Sequence, residues 1–463
     1  MFLQRYYLEC LSHASYMVAD QRTKVAAVID PRRDIDIYIN DAKEHGFKIK
    51  HVILTHFHAD FVAGHIELRD KVGASIYLGA NAKAEFDFEP LGNGNSIELG
   101  DVRLEAMETP GHTPEGITLL VFDETEDKNN PNAIFSGDTL FIGDVGRPDL
   151  LASIGVTARE LAEMLYDSLK NKIIPLPDKT LVYPAHGAGS MCGKALSDQA
   201  FSTLGEQKLH NYALQPMSKE QFINMIEADQ PDAPAYFGYD ALLNRQERAS
   251  LDELTEQSMK ALDFDSVLTL QRSGTHVVDV RSANQFAGAH LNGSINIGID
   301  GRFATWAGTI LSHDASIIII AETDRNEEAI TRLGRIGFHN VKGYLKGGME
   351  FLKDRPNLIS QTQRVSAASI GSLQGKTTLV DIRTKNEWQA GHIEKSINIP
   401  LNHLNENMEE LSETDNLIVY CQGGYRSIIA ASLFEKSGKC NVFDLAGGYQ
   451  AWASSKRPVI ASK

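Results

Sequence analysis

Cysteine is scarce in this chain. Only Cys10, Cys192, Cys421 and Cys440 occur among 463 residues, and no two form a C-x-x-C pair. That excludes a disulfide scaffold and a thiolate zinc ribbon, and it fits a reducing compartment. Long apolar runs are missing as well. The longest purely aliphatic one, Ile317–Ile320, is far too short to span a bilayer and suits a buried strand. Arg5, Glu9 and Asp20 interrupt the first twenty residues, leaving no apolar region for export, and Glu9 argues against a transit peptide. A cytoplasmic protein without membrane contacts is the expectation. Basic residues number 45 against 61 acidic, a net charge of −16, which disfavours nucleic acid or an acidic membrane as partner. Apolar residues at 42% and charged residues at 23% describe an ordinary globular protein, and the length suggests about three domains.

Comparison of the chain with itself reveals an internal repeat. Residues 277–297, VVDVRSANQFAGAHLNGSINI, and 379–399, LVDIRTKNEWQAGHIEKSINI, agree at nine of 21 positions at an offset of 102. Gly347-Gly348 recurs as Gly447-Gly448 at an offset of 100, so the register slips by two in between. The period is too long for a solenoid. Each copy sets short β-branched runs before helical stretches, which reads as alternating strands and helices around a parallel sheet. The copies are expected at 258–357 and 365–463. A helical bridge, 211–257, precedes them. In it Ser218-x-x-Gln221 is a capping box for a helix running to about Asp229, Pro231 and Pro234 close that helix, and a polar helical stretch starts near Ser250.

Residues 1–210 have another texture. Strand candidates Val25–Ile29, His51–Leu54, Ser75–Leu78, Val102–Ala106, Ile117–Phe122, Ala133–Phe135 and Thr180–Val182 are joined by loops rich in Gly, His and Asp, a mixture that suggests two packed sheets with helices outside. The strand ending at Leu54 runs into Thr55-His56-Phe57-His58-Ala59-Asp60. Alternate side chains of an extended segment share a face, so His56 and His58 can aim at one point. Pro110-Gly111-His112-Thr113-Pro114, Phe135-Ser136-Gly137-Asp138-Thr139 and Tyr183-Pro184-Ala185-His186-Gly187 also set a His or Asp just past a strand, beside Gly or Pro. One such His most often hydrogen-bonds a loop. Four fragments at the same end of successive strands point to a metal site.

These motifs resemble the metallo-β-lactamase superfamily, whose signature runs H-x-H-x-D-H, G-H-T, an Asp and a late His. The resemblance implies an αββα fold. The sixth position of the signature is Phe61, which cannot donate a lone pair, so a second metal loses a ligand and only one metal is expected. The pattern resembles the persulfide dioxygenase branch, which implies mononuclear Fe(II) held by His56, His112 and Asp138, with positions open for O2 and a sulfur substrate. Spacing does not separate iron from zinc, and zinc is the alternative occupant. By the same resemblance His58, Asp60 and His186 orient ligands or bind water. Gly143-Asp144-Val145-Gly146-Arg147-Pro148-Asp149 resembles the G-R-x-D loop of that branch, in which Arg147 binds a substrate carboxylate or braces the loop against Asp149. Cys192, six residues past His186, is a packing residue or a persulfide relay within reach of the pocket. Cys10, in the first strand-like segment, and Cys440 read as packing.

The second repeat carries Tyr420-Cys421-Gln422-Gly423-Gly424-Tyr425-Arg426-Ser427 ahead of a helix-compatible run. A strand, a Gly-rich loop opened by Cys and a helix start make an anion cradle whose N–H groups stabilise a thiolate or persulfide. The loop resembles that of the rhodanese sulfurtransferases, with Asp381-x-Arg383, Gly391-His392-Ile393 and Gly447-Gly448 in support. This implies two α/β/α rhodanese-like domains, with Cys421 as the sulfur carrier and Arg426 as its catalytic partner. Arg426 follows Cys421 by five positions, tighter than the phosphate loops of related phosphatases, which favours sulfur over phosphoryl transfer. His392 reads as a structural turn. The first repeat has Ala321 in place of the thiol, with Glu322 and Asp324 making its loop acidic, so an inactive module that spaces domains or supports assembly is expected there.

Together these readings imply a bifunctional enzyme of sulfide detoxification. O2 would oxidise a low-molecular-weight thiol persulfide to sulfite, and Cys421 would exchange sulfane sulfur with sulfite or thiosulfate. A homo-oligomer is the expected assembly. A thioester hydrolase of the glyoxalase II kind with an appended sulfurtransferase is the alternative, and a non-catalytic sulfur carrier the competitor from another class.

Overall fold

The computed structural model describes residues 1–150, 155–228, 230, 232–352, 355–411, 416–439 and 441–461. Cys440, Asp229 and Pro231 lie outside the described residues. The chain is α/β throughout and divides into two units, Met1–Leu254 with Gly334–Gly337, and Thr255–Leu333 with Phe338–Lys463. Among the described residues no helix is long and apolar enough to cross a membrane.

The first unit holds two six-stranded sheets. One runs Phe2–Leu8, His13–Ala19, Val25–Ile29, Lys48–Ile53, Ser75–Gly79, Glu89–Leu91, and the other Ser202–Thr203, Leu181–Pro184, Ala133–Gly137, Ile117–Asp123, Val102–Glu108, Ser96–Glu98. All seven sequence-predicted strands are present, within a few residues at their ends. The pleat sends alternate side chains of Val102–Glu108 inward, so Val102, Leu104 and Ala106 are buried and the residues between them half-covered. They meet Tyr16, Val18, Ala27, Ile29, Ile53, Leu119, Val121 and Phe135 in the core between the sheets. Outside, helix Ala158–Ser168 opens with a Thr157/Glu160 capping box and buries Leu161, Ala162, Leu165 and Ser168, one stripe of its surface. Its Leu165 joins Leu120, Phe122 and Ile134 of the second sheet. Helices on both outer faces complete an αββα arrangement.

Two details depart from the sequence reading. Cys10 lies in a 3-10 turn, Glu9–Leu11, and is half-buried, because the chain must reverse there between two antiparallel strands that the loop-rich pattern does not reveal. The stretch after residue 210 is also part of this unit's core. Its capping-box helix forms as Lys219–Glu227 and buries Phe222 and Ile226 beside Leu165.

The second unit contains two copies of one design. Each is a five-stranded parallel sheet, in the orders Ala261–Leu262, Val341–Leu345, Ile317–Ile320, His276–Asp279, Ile295–Asn296 and Gln363–Val365, Val442–Leu445, Asn416–Tyr420, Thr377–Asp381, Ile397–Asn398. Central strands Ile317–Ile320 and Asn416–Tyr420 are buried at every residue, as a parallel sheet covered on both faces requires. The repeat extends to side chains. Arg281 grips Asp279 as Arg383 grips Asp381. His290 stacks on Phe286 at 3.9 Å, and His392 on Trp388 at 3.8 Å. Each imidazole donates Nδ1 to the carbonyl four residues back, so His392 is a packed structural turn.

Candidate functional site

Four strand ends in the first unit deliver a histidine or aspartate to one buried centre. His56, His58 and Asp60 follow Lys48–Ile53, His112 follows Val102–Glu108, Asp138 directly succeeds Gly137, and His186 follows Leu181–Pro184. Three buried groups of candidate ligands result, each with its atoms within 4.8 Å of one another. They are His56, His112 and Asp138; His58, Asp60 and His186; and Asp138, His186 and Cys192. Asp138 Oδ2 lies 3.4 Å from His112 Nε2 and 3.8 Å from His56 Nε2, and its Oδ1 lies 3.6 Å from His186 Nε2.

The far nitrogen of each ring decides which atom faces the centre. Thr55 Oγ1 donates to Asp30 Oδ2 at 2.9 Å, which leaves its lone pair for His56 Nδ1 at 3.0 Å. His112 Nδ1 donates to the Arg147 carbonyl at 2.8 Å and His186 Nδ1 to the Ser12 carbonyl at 3.2 Å. In the neutral imidazole each of these contacts puts the hydrogen on Nδ1 and turns Nε2 to the centre, the tautomer a metal needs. Burial, with His58 and His112 close by, pushes the His56 pKa well below its ordinary value. His58 goes the other way, because Asp30, Asp60 and Asp138 outweigh its burial. Its Nε2 is 3.0 Å from Asp30 Oδ1, close enough for an ion pair though not aligned as a hydrogen bond. Burial and the Asp60 and Asp138 carboxylates raise the Cys192 pKa, holding it as a thiol.

Whether a cation fits can be judged from Asp138. Among the described residues, neither of its carboxylate oxygens is hydrogen-bonded by an N–H or O–H group, and both are buried. An uncompensated buried carboxylate costs several kcal/mol. A cation held with His56 and His112 removes that cost, and two imidazole nitrogens with one carboxylate suit a transition metal. A small cavity lined by Thr55, His56, Thr109, His112, Asp138 and Thr139 adjoins the triad. Arg147 reaches the centre only through its backbone. Its buried guanidinium is bidentate to Asp149, at 2.7 and 2.6 Å, and donates to the Met191 carbonyl at 3.2 Å. Gly146 lies against the Asp138 carbonyl, where a Cβ would overlap the oxygen, so the loop can close on the centre only with glycine there.

Two residues at the centre escape sequence reasoning. His13, in strand His13–Ala19, is buried with its ring 4.0 Å from Phe61 and its Nε2 unpartnered among the described residues. Asn244, the C-cap residue that follows helix Phe237–Leu243, is fully buried. Its Nδ2 donates to the His58 and Phe61 carbonyls, both at 2.8 Å, and its Oδ1 accepts from Ala63 N at 2.8 Å. Neither sits in a motif. Phe61 itself is buried between the His13 and His58 rings, 4.0 and 4.4 Å away.

In the second unit Cys421 ends strand Asn416–Tyr420 and is buried. Gly424 N donates to its Sγ at 3.0 Å, and Ser427 Oγ stands 3.7 Å from Sγ. Gly424, at φ +115°, caps helix Tyr425–Lys436, whose N-terminus therefore faces the sulfur. Arg426 is bidentate to Glu387, both bonds 2.7 Å. Gln422 accepts from Arg383 at 3.2 Å, while Gln422 and Gly423 form an exposed rim. In the first repeat the matching strand ends at Ala321, and Arg325 pairs with Asp300 and Glu328.

Comparison with known proteins agrees with both halves. Residues 8–186 match the metallo-beta-lactamase superfamily, and residues 263–354 and 366–455 each match the rhodanese-like domain. A mitochondrial persulfide dioxygenase ETHE1 of Mus musculus is 31% identical over 219 residues, 46% of this chain and 75% of that protein. A cytoplasmic hydroxyacylglutathione hydrolase of Arabidopsis thaliana is 34% identical over 184 residues, 39% of this chain and 66% of that protein. The crystal structure of a metallo-beta-lactamase from Staphylococcus aureus superimposes with a TM-score of 0.66 at 33% identity, over 74% of this chain and 98% of that one.

Proposed function

The chain belongs to the metallo-β-lactamase superfamily, with two rhodanese-like domains after the superfamily domain, and on that premise we propose that it oxidises a low-molecular-weight thiol persulfide and transfers sulfane sulfur through Cys421. The observation that carries the reading is the buried triad of His56, His112 and Asp138, with Phe61 where a second metal needs an imidazole. In balance, one persulfide, one O2 and one water give one thiol, one sulfite and two protons, the terminal sulfur losing four electrons to O2.

His56, His112 and Asp138 would hold Fe(II), which would supply the one-electron chemistry that lets O2 react with a spin-paired persulfide. The protein does the rest. Thr55 and the Arg147 carbonyl keep Nε2 of His56 and His112 free of hydrogen. Phe61, buried between the His13 and His58 rings, keeps bulk water from the centre. Arg147 acts as a brace through Asp149. Cys192, as a neutral thiol, lines the centre; unchanged turnover in Cys192→Ser would remove it from the mechanism.

At the second site the Cys421 thiolate attacks the outer sulfur of thiosulfate. The S–S bond breaks, sulfite leaves with its electron pair, and Cys421 holds the sulfur as a persulfide; the reverse reaction makes thiosulfate. Sulfite released by the first reaction is an acceptor for the second, and linkage on one chain raises its effective concentration.

The test is metal analysis of anaerobically purified protein together with O2 uptake on adding glutathione persulfide. Iron with one O2 consumed per sulfite formed is expected. Zinc without O2 uptake defeats the reading. Cleavage of S-lactoylglutathione in that case establishes the thioester hydrolase, which the second ligand group of His58, Asp60 and His186 favours.

A further inference from the structure

The loop that carries Cys421 is bedded on the repeat that has no thiol. Tyr425, directly after Gly424, sets its ring against Gly298 and Gly301 of the first repeat, where its hydroxyl donates to the Gly298 carbonyl at 2.7 Å. The fit leaves no space. A Cβ at Gly298 would stand 3.3 Å from the ring, and one at Gly301 would overlap it. A second thread leaves the sulfur from its other side. Ser427, 3.7 Å from Cys421 Sγ, donates to the buried Asp444 carboxylate. Arg364 holds the other oxygen of Asp444 at 2.8 Å and reaches Asn284 of the first repeat at 2.6 Å. Further along helix Tyr425–Lys436, Asn296 N donates to Ser432 Oγ at 3.1 Å, and Ile428 packs on Phe286 and Ala287.

We propose that the thiol-less repeat is a template for sulfur transfer, fixing the Cys421 cradle through Tyr425 and through the Arg364–Asp444–Ser427 thread. Tyr425 and Arg364 are then positioning residues. The physical need is plain. Gly423 and Gly424 give the loop the turn it requires but no side-chain restraint, and ordering such backbone costs conformational entropy. An external surface supplies that order. The cradle acts by pointing the Gly424 N–H and the start of helix Tyr425–Lys436 at one sulfur atom, so a small displacement weakens both together.

This inference rests on the proposed sulfur-carrying role of Cys421, and the experiment separates the two. Full-length protein is assayed for thiocyanate formation from thiosulfate and cyanide, beside Cys421→Ser, Gly301→Val, Tyr425→Phe and Asn284→Ala. Gly301→Val, which displaces the ring, is expected to lower kcat about tenfold or more with KM for thiosulfate within about twofold. Tyr425→Phe, which removes one oxygen, and Asn284→Ala are each expected to lower kcat about threefold. The midpoint of the pH profile for Cys421 alkylation, read on its peptide by mass spectrometry, should rise in Gly301→Val, which a mere loss of folded protein would not produce. Persulfide-driven O2 uptake stays at the wild-type rate. If wild type gives no more thiocyanate than Cys421→Ser, the sulfur-carrier reading fails and this inference with it. If wild type transfers sulfur and the variants match it in kcat and pH profile, the inference alone is overturned. Should Gly301→Val fail to fold, Tyr425→Phe and Asn284→Ala decide by the same criteria.

Discussion

His112 is oriented by a backbone carbonyl, that of Arg147, which its Nδ1 meets at 2.8 Å. The carbonyl in turn is placed by the Arg147 side chain, buried and locked to Asp149. Arg147→Ala should therefore weaken metal binding without touching any ligand. A loss of about tenfold or more in affinity is expected, as for other groups that orient metal-bound imidazoles. Competition with a chromophoric chelator measures it, and affinity equal to wild type would refute the brace.

Asn244 closes the loop from His58 to Ala63 with three hydrogen bonds. Asn244→Leu orphans two buried carbonyls and one N–H, so a loss of at least about 2 kcal/mol in stability is expected. The loop also begins two residues past the ligand His56, so metal content should fall in the same variant. Denaturant unfolding and metal analysis on one preparation test both.

Removal of metal should separate the two activities. A strong chelator is expected to abolish O2 uptake while leaving thiocyanate formation at its starting rate, since Cys421 Sγ is met by the Gly424 N–H and Ser427. Cys421→Ser should do the reverse. Parallel loss of both activities under chelation would contradict the proposed division of labour.

Glu387 and Arg426 predict a pH dependence. Burial opposes ionised Glu387, but Arg426 and the Thr384 hydrogen bonds outweigh it and hold the carboxyl below its ordinary value. A group depressed in the folded state contributes stability above its unfolded pKa and loses it as pH falls through the folded one. Wild type should thus show a higher Tm than Glu387→Gln at neutral pH. That margin should shrink below about pH 4.3, the ordinary glutamate value. A margin constant from neutral to acid pH would mean the pair contributes no charge-dependent stability.

Much of both candidate sites was legible before any coordinates. H-x-H announces itself by its spacing past a strand, and G-H-T, Asp138 and His186 do so because a side chain aimed at the centre must leave a strand end through a sharp turn, which needs Gly or Pro close by. Cys421 with its glycines and Arg426 is equally local, and so is the 102-residue offset between the repeats. His13 and Asn244 carry no such mark. A histidine in a buried strand and an asparagine just past a helix have many ordinary uses, and only contact with Phe61 or with the His58 carbonyl reveals these. Cys10 shows the converse, since its strand-like surroundings hide a reversal between two strands.

By itself, then, the sequence determined which segments could bear metal ligands, which loop could cradle a sulfur anion, and that one repeat lacks its thiol. Each follows from residue chemistry within a few positions. Only the tertiary structure decided how those groups are held. Asn244 and His58 are 186 residues apart in sequence, and Tyr425 and Gly298 are 127 apart. Such pairs meet through sheet register and helix packing, which are set by the summed burial of whole elements rather than by any short pattern.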